Sequence, residues 1–120
     1  MFNEIILDHF RNPRHAGDLP GANAVVEVNN PVCGDILRLS ARLEGNQIAE
    51  IAFKTQGCVV AIAASSVSAG LLAGKSRQEA REITAATISD RLGGLPPATF
   101  HAAQLCVDAI TALLQKFDAR

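Results

Sequence analysis

Two strand-like stretches joined by a turn constrain the fold more than any other feature of this chain. Residues 36–43 largely alternate apolar side chains with Arg and Ser, a pattern typical of a half-buried strand. Glu44-Gly45-Asn46 has the composition of a hairpin turn, and residues 47–56 supply the returning strand. Gly57 ends that strand, because from residue 58 the apolar spacing becomes helical. The sequence therefore predicts an antiparallel hairpin followed directly by a helix.

The rest of the chain adds one strand and several helices to this hairpin. Residues 25–29 have the composition of a strand, and Leu95-Pro96-Pro97 is expected to be extended because proline disfavours helix in the residue before it. Helices are predicted over residues 2–11, 58–73, 77–83, 84–92 and 100–117. This order predicts an α+β fold, with a three-stranded antiparallel sheet and helices packed mainly on one face. We expect a single domain over residues 1–120.

Composition and charge argue against several classes of function. A formal net charge of −1 does not suit a protein that binds nucleic acid or a membrane surface through a general positive field. The longest apolar run, residues 58–64, is far shorter than the roughly 20 residues that span a bilayer. The N-terminus lacks a secretion signal, and three cysteines cannot all pair within one chain. We therefore expect a soluble, cytoplasmic protein with free thiols.

Cys33, Asp35 and Cys58 form the core of a candidate site. Cys33 and Asp35 are two residues apart, so in an extended chain their side chains project to the same side. Cys58 lies where the third strand ends and a helix begins, and the amides of a helix N-terminus stabilise a thiolate. Antiparallel pairing of the two hairpin strands brings Cys33 and Cys58 to one end of the sheet. Two thiolates and a carboxylate are part of the four-ligand set that Zn²⁺ or an iron–sulfur cluster requires.

Each of these residues also has an ordinary structural interpretation. Cys33 and Asp35 suit a strand-entry turn with one buried cysteine and one solvated aspartate, and Cys58 suits a small buried residue at the end of a sheet. The fourth ligand would come from the C-terminal region, where His101 begins the last helix after Leu95-Pro96-Pro97. A solvated or capping histidine is the alternative interpretation there. The residues alone leave these alternatives open.

Several short motifs occur in order over nearly the whole chain. They are Asp8-His9-Phe10, Asn12-Pro13-Arg14, Cys33-Gly34-Asp35, Phe53-Lys54-Thr55-Gln56-Gly57-Cys58, Ala61-Ile62-Ala63, Ser65-Ser66, Gly74-Lys75-Ser76, Leu95-Pro96-Pro97, His101 and Asp108-Ala109-Ile110. In this order and at this spacing they resemble the IscU-type, NifU N-terminal-like iron–sulfur cluster scaffold family.

The resemblance implies a non-enzymatic scaffold on which a [2Fe–2S] cluster is assembled transiently. It implies that a cysteine desulfurase supplies the sulfur, that apo-proteins receive the cluster, and that Zn²⁺ often occupies the same site. By position, Cys33 and Cys58 match metal or cluster ligands, Asp35 matches the carboxylate that tunes how tightly the metal is held, and His101 matches the family's histidine. Leu95-Pro96-Pro97 implies docking to an Hsp70-type chaperone, although Thr99 stands where a lysine is usual. A homodimer is compatible with the sequence.

The chain departs from the family pattern next to His101. Members usually carry a third cysteine there, whereas this chain has Ala102 and places Cys106 four residues later, about one helical turn and roughly 6 Å along the axis. Cys106 is then either a core residue on the apolar stripe of the last helix or a replacement ligand for the cluster. The missing cysteine leaves two alternative functions open: a SufU-like zinc-bound persulfide acceptor, and a binding module that has lost full cluster ligation.

Overall fold

The sheet and helices follow the predicted order closely. The computed structural model describes residues 2–119, and all statements below concern these residues. The elements are α1 (Glu4–Arg11), β1 (Ala24–Asn29), β2 (Ile36–Glu44), β3 (Gln47–Gln56), α2 (Val59–Leu72), α3 (Arg77–Arg81), α4 (Ala85–Arg91), a 3₁₀ turn (Pro97–Thr99) and α5 (His101–Asp118).

The three strands form one antiparallel sheet in the order β1-β2-β3. Leu39 lies opposite Val26 on one side and Phe53 on the other, and all three side chains are buried. Arg38 and Lys54 face each other on the opposite, exposed side of the sheet. Alternation therefore separates a core face from a largely solvated face, as the sequence pattern predicts. The exception is the middle of β2 and β3, where the paired Ser40 and Ala52 on the second face are also buried. The register shifts between Arg42 and Leu43, where the hairpin approaches its turn.

The long helices pack on the core face of this sheet. α2 contacts β3, and α5 contacts β1 and β2 as well as α2. Along α2, Ala61, Ala63, Ala64 and Ala69 are fully or almost fully buried, and such small side chains permit close packing against the sheet and α5. The observed arrangement confirms the predicted α+β class with helices mainly on one face. That the whole chain is a single domain stays a prediction.

Each helix begins and ends within two residues of its predicted position. The predicted range 58–73 includes Cys58, the N-cap of α2, and Ala73, its C-cap. At α3, the Ser76 hydroxyl accepts a hydrogen bond from the Glu79 amide at 3.1 Å, and the Glu79 carboxylate accepts one from the Ser76 amide at 2.9 Å. This reciprocal pair is a capping box.

The connector before α5 differs from its prediction in one respect. Pro96 is extended, with φ −62° and ψ 158°, but Pro97 begins a 3₁₀ turn that runs to Thr99. Proline is well suited to the first position of a helical turn, since its fixed φ is helical. The backbone N–H that proline lacks would have no partner within the turn at that position. Among residues 2–119, no helix is both long and apolar enough to cross a bilayer.

Candidate metal centre

The loop between β1 and β2 is a hydrogen-bonded turn that presents Cys33 to solvent. The Asn30 amide donates to the Asp35 carbonyl at 2.8 Å, and the Gly34 amide donates to the Asn30 carbonyl at 2.7 Å. The Val32 amide donates to the Asn30 side-chain oxygen at 2.9 Å. Gly34 has φ +78°, a conformation that side chains with a Cβ rarely adopt. The stretch is therefore not extended at Cys33, unlike the geometry considered from the sequence.

Asp35 is buried although it is an acidic residue next to a surface turn. Its side chain is only 8% exposed, whereas the neighbouring Cys33 is exposed. This arrangement reverses the ordinary structural interpretation, in which the cysteine is buried and the aspartate solvated. A buried carboxylate loses hydration, and it is stable only if hydrogen bonds or a cation compensate. Asp35 is therefore the residue in this region that most needs a partner.

Cys58 reaches Asp35 from the far side of the hairpin. The pairing of Ile36 with Gln56 places the start of β2 beside the end of β3, so Cys58 follows two residues beyond the paired position. Cys58 is the N-cap residue of α2, yet its side chain makes no capping hydrogen bond. Instead its thiol points at Asp35, with 3.8 Å between Sγ and Oδ2. The sequence prediction that this junction lies at the same sheet end as the β1–β2 loop is thus observed.

His101 approaches the same carboxylate from α5. It is the first residue of that helix, and its Nε2 lies 3.9 Å from Asp35 Oδ2. Its side chain is 37% exposed, so it stands at the rim between solvent and the buried carboxylate. A cavity of about 270 Å³ adjoins it, lined also by Asn30, Pro31 and Gln104.

Cys33, Asp35, Cys58 and His101 together are called the Asp35 centre here. One ligand atom each from Cys33, Asp35 and His101 lies within 4.8 Å of the other two. Cys58, although predicted to be a ligand, is not a member of this three-residue group. It is linked to the group by one contact, the 3.8 Å between its Sγ and Asp35 Oδ2. In tetrahedral zinc sites, bonds of 2.0 to 2.3 Å separate neighbouring ligand atoms by roughly 3.3 to 3.8 Å. A contraction of about 1 Å would therefore suffice for the first three residues to bind one ion.

The donor chemistry of the Asp35 centre suits a thiophilic metal. Thiolate and imidazole are preferred ligands of zinc and iron, and the carboxylate adds a harder and more readily displaced oxygen. The Cys58 thiol donates a long, weak hydrogen bond to Asp35 Oδ2 at 3.8 Å. His101 Nε2 lies 3.9 Å from the same oxygen, which is beyond hydrogen-bond range. A cation among these groups would supply the positive charge that the buried carboxylate lacks. The residues present therefore fit a metal ion or a small cluster.

Gly57 contributes to the centre through its lack of a side chain, a role that reasoning from the sequence missed. A Cβ at Gly57 would lie 2.7 Å from Asp35 Oδ1 and 2.8 Å from Asp35 Cγ. Contacts that short do not occur between non-bonded atoms of this kind, so Asp35 occupies space that only glycine leaves free. A glycine directly before a candidate ligand is the sequence signal that suggests such a close approach.

Cys106 does not join the Asp35 centre. It is 1% exposed and lies in the core, in agreement with the first interpretation of this residue and against its inclusion among cluster-binding residues. Burial raises the pKa of the Cys106 thiol to about 11, although the hydroxyls of Ser68 and Ser65 oppose the shift. A thiol with this pKa remains protonated at neutral pH and is a poor metal ligand. Ala102, where the family usually has cysteine, is also completely buried.

Comparison with known families agrees with the motifs and the geometry. The family model described as NifU-like N terminal domain matches residues 1–120 of this chain. The chain belongs to this family. The resemblance inferred from the motifs is thereby confirmed for the NifU-like chain as a whole.

Two curated relatives illustrate the similarity of the NifU-like chain to named proteins. It is 40% identical over 110 residues to iron-sulfur cluster assembly scaffold protein IscU 1 of Archaeoglobus fulgidus, covering 92% of this chain and 72% of that protein. It is 38% identical over 123 residues to iron-sulfur cluster assembly scaffold protein IscU of Haemophilus influenzae, covering 99% of this chain and 97% of that protein.

A solved structure supports the fold independently. The crystal structure of a nitrogen-fixing NifU-like protein (N-terminal) from Brucella abortus superposes with a TM-score of 0.77. The match covers 98% of this chain and 94% of that one, at 20% sequence identity. At this level of identity the comparison shows a common fold.

Proposed function

We propose that the NifU-like chain is a scaffold and carrier for iron–sulfur cluster assembly, with iron and sulfur as its cargo. One observation carries the proposal: ligand atoms of Cys33, Asp35 and His101 lie within 4.8 Å of one another around a buried carboxylate that Cys58 also contacts. The names of its relatives support the same role. Four protein ligands are the number that a [2Fe–2S] cluster requires.

The residues of the Asp35 centre would have different roles in binding and releasing the iron and sulfur. Cys33 and Cys58 supply soft thiolate ligands for iron, and His101 supplies an imidazole. Asp35 supplies a weaker oxygen ligand, so exchange for an acceptor's cysteine begins most easily at that bond. Both cysteines are exposed, which gives an acceptor protein direct access to them. This combination favours a cluster that is bound transiently.

Sulfur would enter by transfer from a cysteine desulfurase, the partner expected from the family. In that step a thiolate of Cys33 or Cys58 attacks the outer sulfur of the donor persulfide, and the donor's thiolate leaves. The bond between the two donor sulfurs breaks as the new sulfur–sulfur bond forms, with no net oxidation. Conversion of each transferred sulfur to sulfide then consumes two electrons from an external thiol or electron carrier.

Release of the cluster would involve apo-proteins and a chaperone. Pro96 and Pro97 are exposed and lie five and four residues before His101, so this part of the Leu95-Pro96-Pro97 segment is accessible close in sequence to the Asp35 centre. We propose that an Hsp70-type chaperone docks there. Thr99 removes the usual positive charge, and we therefore expect weaker docking than in relatives that have lysine. We also propose a cytoplasmic location.

A zinc-bound persulfide acceptor is the second candidate function. It is favoured by Ala102 and by the burial of Cys106, which together leave only two thiols able to reach the Asp35 centre. In this role the same four residues would hold Zn²⁺, which would stabilise the thiolate that accepts sulfur. Attack on the donor persulfide then proceeds as described above, and no cluster forms.

Anaerobic reconstitution distinguishes these functions. The protein is incubated with Fe²⁺, cysteine and a desulfurase, and sulfur-to-iron charge-transfer absorption is recorded. The scaffold function predicts visible absorption that is lost in Cys33→Ser and Cys58→Ser and retained in the matched control Cys106→Ser. A +32 Da adduct on a zinc-loaded protein that takes up no iron indicates the persulfide acceptor instead. If the protein gives no visible absorption and no +32 Da adduct, it is a module that no longer assembles clusters, and both proposals are contradicted.

A further inference from the structure

A second polar cavity of about 330 Å³ shares no lining residue with the Asp35 centre. It lies between α1, the loop that follows α1, α2 and α4. Its titratable side chains are His9, Arg14, His15 and Arg91, and no Asp or Glu is among the described residues that line it. Two arginines and two histidines from three separate segments therefore converge on one concave surface.

A hydrogen-bond network fixes the orientation of His9 in this cavity. Ser66 is completely buried, and its hydroxyl accepts a hydrogen bond from the Arg14 amide at 2.8 Å. His9 Nδ1 lies 2.8 Å from the same oxygen. A buried hydroxyl needs an acceptor for its own proton, and within the described part of the chain His9 Nδ1 is the acceptor in reach. We therefore assign the neutral tautomer of His9 with its proton on Nε2, which makes Nε2 a donor.

The other polar side chains of the cavity, Arg14, His15 and Arg91, have few partners within the described part of the protein. Arg14 forms an ion pair with Asp8 at 2.8 Å, but both side chains are about half exposed, 44% and 52%. The side chains of His15 and Arg91 have no hydrogen-bond or ion-pair partner among the described residues. Burial, followed by the positive charge of Arg14, lowers the pKa of His9, and the negative charge of Asp8 opposes the shift.

The backbone at His15 adds an independent observation. His15 has φ +67°, and among residues 2–119 it is the one residue other than glycine with a positive φ. This conformation costs energy for a residue with a Cβ, and such residues are concentrated at functional sites. Backbone hydrogen bonds to β3 hold it in place: Phe53 N donates to His15 O at 2.9 Å, and Gly17 N donates to Phe53 O at 2.9 Å.

We propose that this cavity binds a small anion of the phosphate class, either free phosphate or the phosphate group of a small molecule. The guanidinium groups of Arg14 and Arg91 and the Nε2–H of His9 are donors with no acceptor function, so a ligand must bring acceptor oxygens and negative charge. A volume of about 330 Å³ is at the lower end of the range for small-molecule sites. The site is separate from the proposed cluster chemistry.

Inorganic phosphate is the probe that tests this proposal. The metal-free 120-residue chain with ¹⁵N-labelled histidine is titrated with phosphate at constant ionic strength, and the imidazole signals are recorded by NMR. We expect saturable shifts of His9 and His15 and Nε2 protonation of His9 in the free protein. Arg91→Gln should weaken binding about tenfold, the cost of one lost charged hydrogen bond. Nonspecific shifts equal to those caused by chloride would overturn the proposal.

Two further variants separate the cavity from general electrostatics. Arg11→Gln removes the same charge from an exposed position that does not line the cavity, and we expect a change below about twofold because salt screens it. Gly70→Leu fills the cavity without altering charge: a Cβ at Gly70 meets no atom within 4 Å, and leucine favours helix. We expect it to fold and to lose phosphate binding. Retained binding in Gly70→Leu, or equal losses in Arg11→Gln and Arg91→Gln, would overturn the proposal.

The same titration with acetate distinguishes phosphate from the carboxylate of an acidic protein side chain. A phosphate site predicts that acetate binds more weakly than phosphate in the parent protein. Acetate binding as tight as phosphate binding would refute the phosphate assignment and point to an acidic partner.

Discussion

Gly57→Ala should distort the Asp35 centre without changing any candidate ligand. The added Cβ would lie 2.7 Å from Asp35 Oδ1 and 3.2 Å from the Ala61 Cβ. Gly57 does not have a positive φ, so alanine is compatible with its backbone and the conflict is one of space alone. The Asp35 side chain must move, because the other neighbour, Ala61, belongs to the rigid first turn of α2.

The expected loss of unfolding free energy in Gly57→Ala is estimated from the cost of overpacking a filled site. Inserting one carbon into a filled site costs about 1–3 kcal/mol of unfolding free energy. Alanine also reduces the freedom of the unfolded chain, which offsets about 0.4–1 kcal/mol of that cost in any background. In an Asp35→Ala background the two shortest contacts are absent, so Gly57→Ala should cost about 1 kcal/mol less there than in the parent. Displacement of Asp35 should also weaken zinc binding about 10- to 100-fold, as loss of a group that orients a ligand does.

Urea unfolding of the parent, the two single variants and the double variant measures the coupling between Gly57 and Asp35. Competition with a chromophoric chelator measures zinc affinity, and Gly70→Ala is the matched control because its Cβ meets nothing within 4 Å. Equal destabilisation by Gly57→Ala in both backgrounds, or unchanged zinc affinity, would refute the reasoning.

Three further predictions concern the core, a helix cap and a half-buried histidine. Iodoacetamide should modify Cys33 and Cys58 in the folded, metal-free protein and Cys106 only after unfolding, because burial raises the pKa of Cys106 to about 11; three adducts at similar rates, counted by mass spectrometry, would contradict its burial. Ser76→Ala should lower the unfolding free energy by about 1 kcal/mol through loss of the α3 cap, whereas an unchanged urea midpoint would show that the cap contributes nothing. Burial lowers the pKa of His9 below 6.5, so its contribution to stability is complete above pH 6.5 and is lost as the pH falls from there through the folded-state pKa. His9→Asn should flatten that part of the stability profile, and an unaltered slope would count against the assignment.

Much of the fold follows from local patterns that tertiary packing reinforces. The alternation in residues 36–43 and 47–56 predicts the β2–β3 hairpin because one face of that sheet is buried and the other solvated. The break at Gly57 predicts the start of α2 to within one residue of its cap. From these two features the proximity of Asp35 and Cys58 could be predicted, since antiparallel pairing leaves little freedom at the sheet end.

Details that depend on three-dimensional packing could not be read from the pattern. Periodicity does not show that Asp35 is buried while Cys33 is exposed, because the turn is held by hydrogen bonds from Asn30 and by the positive φ of Gly34. The 3₁₀ turn that begins at Pro97 could not be predicted either, because the φ of proline is compatible with both an extended and a helical backbone. Neither the spacing nor the chemistry of Cys106 alone predicts whether it is buried in the core or binds the metal. A residue one helical turn beyond Ala102 could do either.

A crystal structure of the zinc-loaded protein, with anomalous scattering recorded at the zinc edge, tests the central claim most directly. We expect one strong peak bonded to Cys33 Sγ, Cys58 Sγ, an Asp35 carboxylate oxygen and a His101 ring nitrogen, with Cys106 unliganded in the core. A zinc ion held elsewhere, or one bound at this end of the sheet without either exposed thiol, would contradict it.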